Sequence, residues 1–261
     1  MVALNRVLDC LFNHSNVGPF ISRQLIQRLV CSNPSPAYVA RVATVFNGTN
    51  TNVRGDLMAV VRAILLDVEA RQSPTLNPAG WGKIREPILR LAQWGRTFGI
   101  HSASGNWWMD ATSSPIWALG QSPLRAPSVF NFFRPGYVPP NTALATQQLG
   151  SPELQIINES TAAAYINFMV NTVEKGLQYW DTRTYDLTAD YTQALLDSQN
   201  LPRFLATLNL TLAANRISTT TLARMQTALA AMPFTTRPQQ LQRVYSALVL
   251  VLCCPEYLVQ Q

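Results

Sequence analysis

Apolar residues recur at intervals of three and four through most of the chain, and the gaps between these runs carry helix-start and turn residues. Val2–Phe12 reads as an amphipathic helix with Arg6 and Asp9 on its polar side. Gly18 and Pro19 break the pattern, and Pro19 opens a second helix. There Ile21, Leu25, Ile26, Leu29 and Val30 share a face and Arg23, Gln24, Gln27 and Arg28 point outward. Ser35 and Pro36 supply the cap and first turn of a third, running to about Phe46. A fourth uses Leu57, Val60, Val61, Ile64 and Leu65 as its buried face, with Asp56 favourably placed at its positive end. The tripeptide Arg54-Gly55-Asp56 is better explained as this helix start than as an integrin signal. After a Pro- and Gly-containing linker over 72–82, a fifth helix is expected over 84–98, with Pro87 tolerable only in its first turn.

Helical spacing resumes over 159–179, where Ala162, Tyr165, Ile166, Met169, Val170 and Val173 lie on one side, and continues over 186–198, 202–215, 219–231 and 238–253. The last of these is almost wholly apolar from Ala247 to Cys253, which predicts a central, buried position. Between 99 and 158 no period is found and proline recurs, at Pro115, Pro123, Pro127, Pro135, Pro139, Pro140 and Pro152. Disorder is disfavoured by Trp107, Trp108, Trp117, Phe130, Phe132, Phe133 and Tyr137, so this is an ordered, packed loop region. No strand pair, hairpin signal or internal repeat is visible. The expected fold is all-α: an irregular helical bundle of about nine to ten helices, forming a single domain over 1–261, with a long Pro/aromatic-rich loop region (100–158) in its middle.

Composition narrows the classes. With 48% apolar and 13% charged residues, the chain is built to pack a core. Its longest apolar run, Ala247 to Cys254, is far too short for a bilayer span, and the start shows neither a basic region nor an unbroken apolar stretch of a signal peptide. The net charge of +6 is carried almost entirely by arginines set singly along helices, the lysines being Lys83 and Lys175. That scatter argues against nucleic-acid binding, which concentrates charge in a stripe. Cys10, Cys31, Cys253 and Cys254 form no C-x-x-C pair and have no histidine at ligand spacing, so they read as small buried residues. A Cys10–Cys31 bridge would need an antiparallel pair of helices and an oxidising compartment. No metal or cofactor is expected: phosphate loops, dinucleotide fingerprints and calcium-loop spacing are all missing. So low a share of charge also predicts buried arginines paired with glutamates.

Chemistry is most plausibly sought in the irregular region. Two carboxylates across a cleft are the requirement of a glycosidase, and Glu86 and Asp110 are the candidate pair, with Glu153 and Glu159 also nearby in sequence. Trp107 and Trp108 offer flat apolar faces for sugar rings, with core anchoring of the loop as the plainer alternative. His101 lies in a serine-rich stretch, Ser102 to Gly105, that is not the G-x-S-x-G elbow of a hydrolase. Arg125, Asn131 and Arg134 place polar groups between apolar anchors, as a pocket wall does. For Glu86 the plainer alternative is an ion pair with Arg85, Arg90 or Arg125, and for His14 a capping role. Three classes stand: a binding or assembly module for a polymer or protein partner, which leads; a polysaccharide hydrolase; and an ester hydrolase.

Several strings carry a family resemblance. They are Asn13-His14-Ser15-Asn16-Val17-Gly18-Pro19-Phe20-Ile21, Ser32-Asn33-Pro34-Ser35-Pro36, Arg54-Gly55-Asp56-Leu57, Lys83-Ile84-Arg85-Glu86-Pro87, Gln121-Ser122-Pro123-Leu124-Arg125-Ala126-Pro127 and Cys254-Pro255-Glu256-Tyr257-Leu258. Together they resemble the bacterial family called domain of unknown function 1800, specifically its C-terminal half. Ser15 stands where Pro is more usual, and Cys31 and Cys254 replace small polar residues. The resemblance implies an exported, extracytoplasmic protein and a sulfatase-like partner protein encoded nearby. It assigns no catalytic residue. It also implies an apolar surface where the N-terminal half would sit, and hence a tendency to self-associate.

Overall fold

Helix dominates the computed structural model, which describes residues 2–49, 52–72, 81–179, 181 and 183–261. Helix accounts for 56% of it, with nine helices of seven residues or more among the described residues. The chain folds as two compact units that do not follow its order. The first comprises Met1–Lys83, Arg134–Pro152 and Gln260–Gln261, and the second Ile84–Phe133 and Glu153–Val259. The linker expected over 72–82 lies for the most part outside the described residues.

The first unit is a small helical cluster of α1 (Val2–Phe12), α2 (Val17–Leu29), α3 (Pro36–Asn47), α4 (Leu57–Leu66) and α5 (Val68–Arg71). Its starts are set by the expected residues: the Ser35 hydroxyl accepts from the Tyr38 N–H at 3.1 Å and Asp56 from the Ala59 N–H at 3.0 Å. Ile26, Tyr38, Val42, Phe46, Val60 and Ile64 make the core, and the Tyr38 hydroxyl donates to the Ile64 carbonyl at 2.7 Å. Arg54 lies over the rings of Phe12 and Phe46 and donates to the carbonyls of Phe12 and His14. The Arg54-Gly55-Asp56 string is thus a structural clasp followed by a helix cap. His14 takes a turn-forming role, its Nδ1 accepting from the Asn16 N–H at 3.1 Å. Cys10 is exposed, Cys31 is buried, and all four cysteines are free thiols. Helix α1 buries none of its residues, leaving Val2, Leu4, Val7, Leu8 and Leu11 exposed.

The strands are short. Two-residue strands β1 (Lys83–Ile84) and β5 (Val259–Gln260) pair with each other, and β2 (His101–Ser102), β4 (Thr184–Thr188) and β3 (Leu177–Tyr179) form an antiparallel sheet in that order. In the second unit the helices are α6 (Pro87–Thr97), α8 (Glu159–Lys175), α9 (Thr192–Asp197), α10 (Leu201–Ala213), α11 (Thr219–Ala230), α12 (Arg237–Cys253) and α13 (Pro255–Leu258), while the one-turn α7 (Ala143–Thr146) belongs to the first. Helix α12 is the centre of the second unit's core: Val244, Ala247, Leu248, Val251 and Leu252 are each fully buried. Beside it Trp94, also fully buried, donates from Nε1 to the Tyr191 hydroxyl at 2.9 Å.

Two expectations for this unit are corrected. The helices predicted over 159–179 and 186–198 are shorter, and strand occupies what they lose. Helix α8 stops at Gly176, whose φ of +95° favours glycine. A Cβ there would lie 2.2 Å from the Leu187 carbonyl oxygen, so β4 approaches this closely only because position 176 has no side chain. Thr184, Tyr185 and Thr188, all strand formers, then pair as Gln178↔Tyr185 and Tyr179↔Thr184 on one side and His101↔Thr188 on the other. The ladders are too short to show as alternation in sequence.

The second correction concerns the buried Arg90, which is only 3% exposed. Its Nε donates to the Arg85 carbonyl at 2.8 Å and its guanidinium lies 4.8 Å from the centre of the Tyr165 ring. Burial pulls its pKa down against the opposing pull of Tyr165 and Tyr257. Ring faces and carbonyl oxygens thus do for Arg90 what a glutamate was expected to do. Arg85 over Tyr257 and Arg243 over Phe234 repeat the arrangement.

Tyr191→Phe isolates one buried hydrogen bond, since the ring contacts to Phe98 and Tyr245 survive in Phe. It strands the Trp94 N–H in the core, and the expected cost is about 1–3 kcal/mol, read from the urea midpoint at constant slope. An unchanged midpoint would show that Trp94 is held by packing alone.

Candidate functional site

The segment joining β2 to α8 begins with a tight loop folded around one carboxylate. Asp186, on β4, is 3% exposed. Its Oδ1 accepts from the Ser104 N–H at 2.8 Å, and its Oδ2 from the Ser102 hydroxyl at 2.8 Å and the Trp108 N–H at 2.9 Å. The Asp186 carbonyl takes a further bond, from the Ala103 N–H at 2.8 Å. Ser102 also accepts from the Trp107 N–H at 3.1 Å, which closes the turn. Trp107 has a φ of +58°, left-handed backbone that a bulky residue adopts only when its surroundings impose it. Loss of water around Asp186 pushes its carboxyl up, but the bonds from Ser104, Ser102 and Trp108 outweigh this and hold it down at about 2.

This loop sets the exposure of the two tryptophans. Trp107 is 57% exposed, and Trp108 is 40% exposed and stacked on Tyr179 of β3, with ring centres 5.0 Å apart and planes 29° apart. Two residues on, the Asp110 N–H donates to the Gln178 carbonyl at 3.1 Å, extending the loop along β3. Asp110 then lines a groove of about 240 Å³ with Trp117, Phe168, Asn171, Gln178 and Tyr185. Trp117 is 72% exposed and Tyr185 39%. The floor is fixed from below: Thr112 donates to the Gln121 carbonyl at 2.6 Å, and Gln121 donates from Nε2 to Glu86 at 2.5 Å. The result is a shallow trough with the exposed Trp117 indole and an acid, two amides and a phenol as hydrogen-bonding groups.

The other predicted residues are dispersed. Glu86 stands at the N-terminus of α6, engaged by Gln121, and is not among the residues lining the Asp110 groove. His101 is on β2 with its Nε2 3.2 Å from the Thr188 hydroxyl, while the adjacent Ser102 hydroxyl goes to Asp186, so these two do not form a nucleophile–base pair. Arg125 and Asn131 lie on the exposed turns over 123–131, and Arg134 belongs to the first unit. Of the predicted residues, Asp110 lines the groove, while Trp107 and Trp108 lie on the loop that precedes it. The residues that sequence reasoning missed are Asp186, Tyr179, Asn171, Gln178 and Tyr185, all carried by β3, β4 or the end of α8. The signal that could have found them is Gly176 followed by Leu-Gln-Tyr and Thr-Tyr-Asp-Leu-Thr, a helix stop between two strand-prone runs.

A family model described as a protein of unknown function (DUF1800) matches residues 1–259, and the chain belongs to that family. No curated protein and no solved structure matches the chain.

The Asp186 hub makes a signed pH prediction. A carboxyl held at about 2 in the fold, against about 3.9 when unfolded, stabilises the loop fully above the higher value and loses that contribution as pH falls towards the lower. Hydrogen-exchange protection of the Ser104 and Trp108 amides should hold to about pH 4 and then fall away. In Asp186→Asn it should be weak at every pH. Equal protection in the two proteins at pH 7 would mean that the carboxylate does not hold the loop.

Proposed function

Because the family description names no activity, we propose a function from the site itself: the second unit binds an extended polysaccharide chain along the groove lined by Asp110 and Trp117 and onto Trp108 of the preceding loop. The observation that carries this is the presentation of Trp108, 40% exposed while stacked on Tyr179 and tied through its backbone to Asp186. Exposing much of Trp107 and Trp117 and part of Trp108 is costly for a fold with other ways to fill a loop, and flat indole faces match the apolar faces of sugar rings. Asp110, Asn171 and Gln178 supply the directional hydrogen bonds that fix such a ligand. The export implied by the family resemblance would place the surface where such polymers lie.

Binding is favoured over hydrolysis because Asp110 is the one carboxylate among the described residues lining the groove, whereas glycoside cleavage takes a pair. A second reading rests on Leu124 and Val129, which project almost entirely into solvent with Phe130 beside them. Such an apolar tip fits assembly with a protein partner, a second copy of the chain included.

Pull-down on insoluble glycans tests the first reading. Trp108→Ala and Trp117→Ala should each weaken binding about tenfold, as expected for losing about 1.4 kcal/mol of ring contact, with helical content unchanged. Retained binding in both, or release of reducing sugar that vanishes in Asp110→Asn, would overturn it. The second reading is checked by Leu124→Asp/Val129→Asp, which should leave glycan binding intact and abolish any concentration-dependent association.

A further inference from the structure

A second cavity in the same unit has a different chemistry. It encloses about 130 Å³ and is walled by Pro87, Leu119, Leu154, Ile157 and Ile166. Arg90, Tyr165 and Cys253 also line it. Exposed residues of α8, Ala162 and Ile166, form its mouth. Nothing in the glycan trough requires this space, and none of its lining residues is shared with the Asp110 groove.

Arg90 is the unusual member. It is 97% buried in an otherwise apolar wall, and a guanidinium carries five donors. Nε uses one on the Arg85 carbonyl, and the Tyr165 hydroxyl is its other side-chain partner. Its electrostatic neighbours are Tyr165, Tyr257 and the like-charged Arg85, with no carboxylate among them. Cys253 does not supply the missing charge either, since burial pushes its thiol up to about 11 and it stays neutral. A buried cation facing an apolar space, with no carboxylate among its neighbours in the described residues, is a costly arrangement. It becomes favourable when an anion brings the missing charge, as guanidinium and carboxylate fit each other in two parallel hydrogen bonds.

We propose that this cavity binds a small aliphatic monocarboxylate, its carboxylate paired with Arg90 and its tail lying among Leu119, Leu154, Ile157 and Ile166. The volume sets the length. A protein cavity of about 150 Å³ holds benzene with its six non-hydrogen atoms, so this one of about 130 Å³ encloses about five, the carbons of a four- to five-carbon acid whose carboxylate oxygens lie against Arg90. Longer acids have to pass out through the mouth at Ala162, and shorter ones leave the apolar wall unfilled.

The test uses the full chain with pentanoate as the probe, followed by calorimetry and by thermal melting. Saturable binding with a rise in Tm is expected. Acetate and decanoate should bind at least tenfold more weakly, as should pentan-1-ol, which keeps the tail without the charge. Arg90→Met should abolish the preference for acid over alcohol. Because that variant can fail to fold, Ala162→Phe serves as an independent control: it fills the mouth, leaves Arg90 in place and should remove binding while helical content is kept. Failure of pentanoate to bind at all, equal affinity for pentanoate and pentan-1-ol, or undiminished binding in a folded Ala162→Phe would each overturn the assignment. Glycan binding plays no part in these readouts.

Discussion

The carboxylate of Asp186 accepts hydrogen bonds from one hydroxyl and two backbone amides of a loop that has no regular structure of its own. Irregular backbone leaves its N–H groups without ladder partners, and each must be satisfied by some other acceptor or by water. Asp186 meets this demand at a single point, and the rest of the surface follows from it. Trp108 is drawn over Tyr179, Trp107 is forced into left-handed backbone, and Asp110 is delivered to the groove alongside β3. The sheet matters because it places Asp186 there, and the sheet depends in turn on Gly176 allowing β4 to come within what would be contact distance of a side chain.

A second constraint shapes the interior. The chain is poor in charge yet carries 20 Lys and Arg against 14 Asp and Glu, so carboxylates cannot neutralise every cation. Arg54, Arg85, Arg90 and Arg243 instead lie against aromatic rings. Arg54, Arg90 and Arg243 also donate to backbone carbonyls. Ring quadrupoles and carbonyl dipoles solvate a delocalised guanidinium well without a full counter-charge. That solution works at the surface and partway in. At Arg90, beside an apolar cavity, it leaves the charge incompletely matched, which is why the same economy that stabilises the fold also produces a candidate anion site.

The helices were legible because their signals are local. Caps such as Ser35 and Asp56, and the apolar run of α12, act within one or two turns and leave a direct trace in spacing. The aromatic content of the middle segment is likewise local, and it includes Trp108 and Asp110, whose backbone N–H groups go to Asp186 and to the Gln178 carbonyl. What was not legible was set by distant partners. Ladders of two to five residues leave too few alternations to compete with a helical period, so the sequence of β4 merges with the helical spacing that follows it. Asp186 lies 78 residues beyond Trp108 along the chain, and its role as the loop's acceptor exists only once the sheet has formed. Glu86 and Asp110 both flank one irregular region in sequence, but Gln121 engages Glu86 at the N-terminus of α6, and only Asp110 of the two is among the residues that line the groove. An Arg held by Tyr165 instead of a glutamate follows from through-space contacts that spacing does not encode.

The glycan affinity of Asp186→Asn, measured with every tryptophan left in place, tests most directly whether this one carboxylate organises the binding surface. Asp186 does not line the groove and offers no contact to a ligand there, so any loss must come through the loop. The expected result is a fall in affinity comparable to that of removing the Trp108 ring itself, together with lost protection at the Ser104 and Trp108 amides and a core melting transition that barely moves. An affinity equal to that of the unmodified protein, with the loop demonstrably loosened, would contradict it.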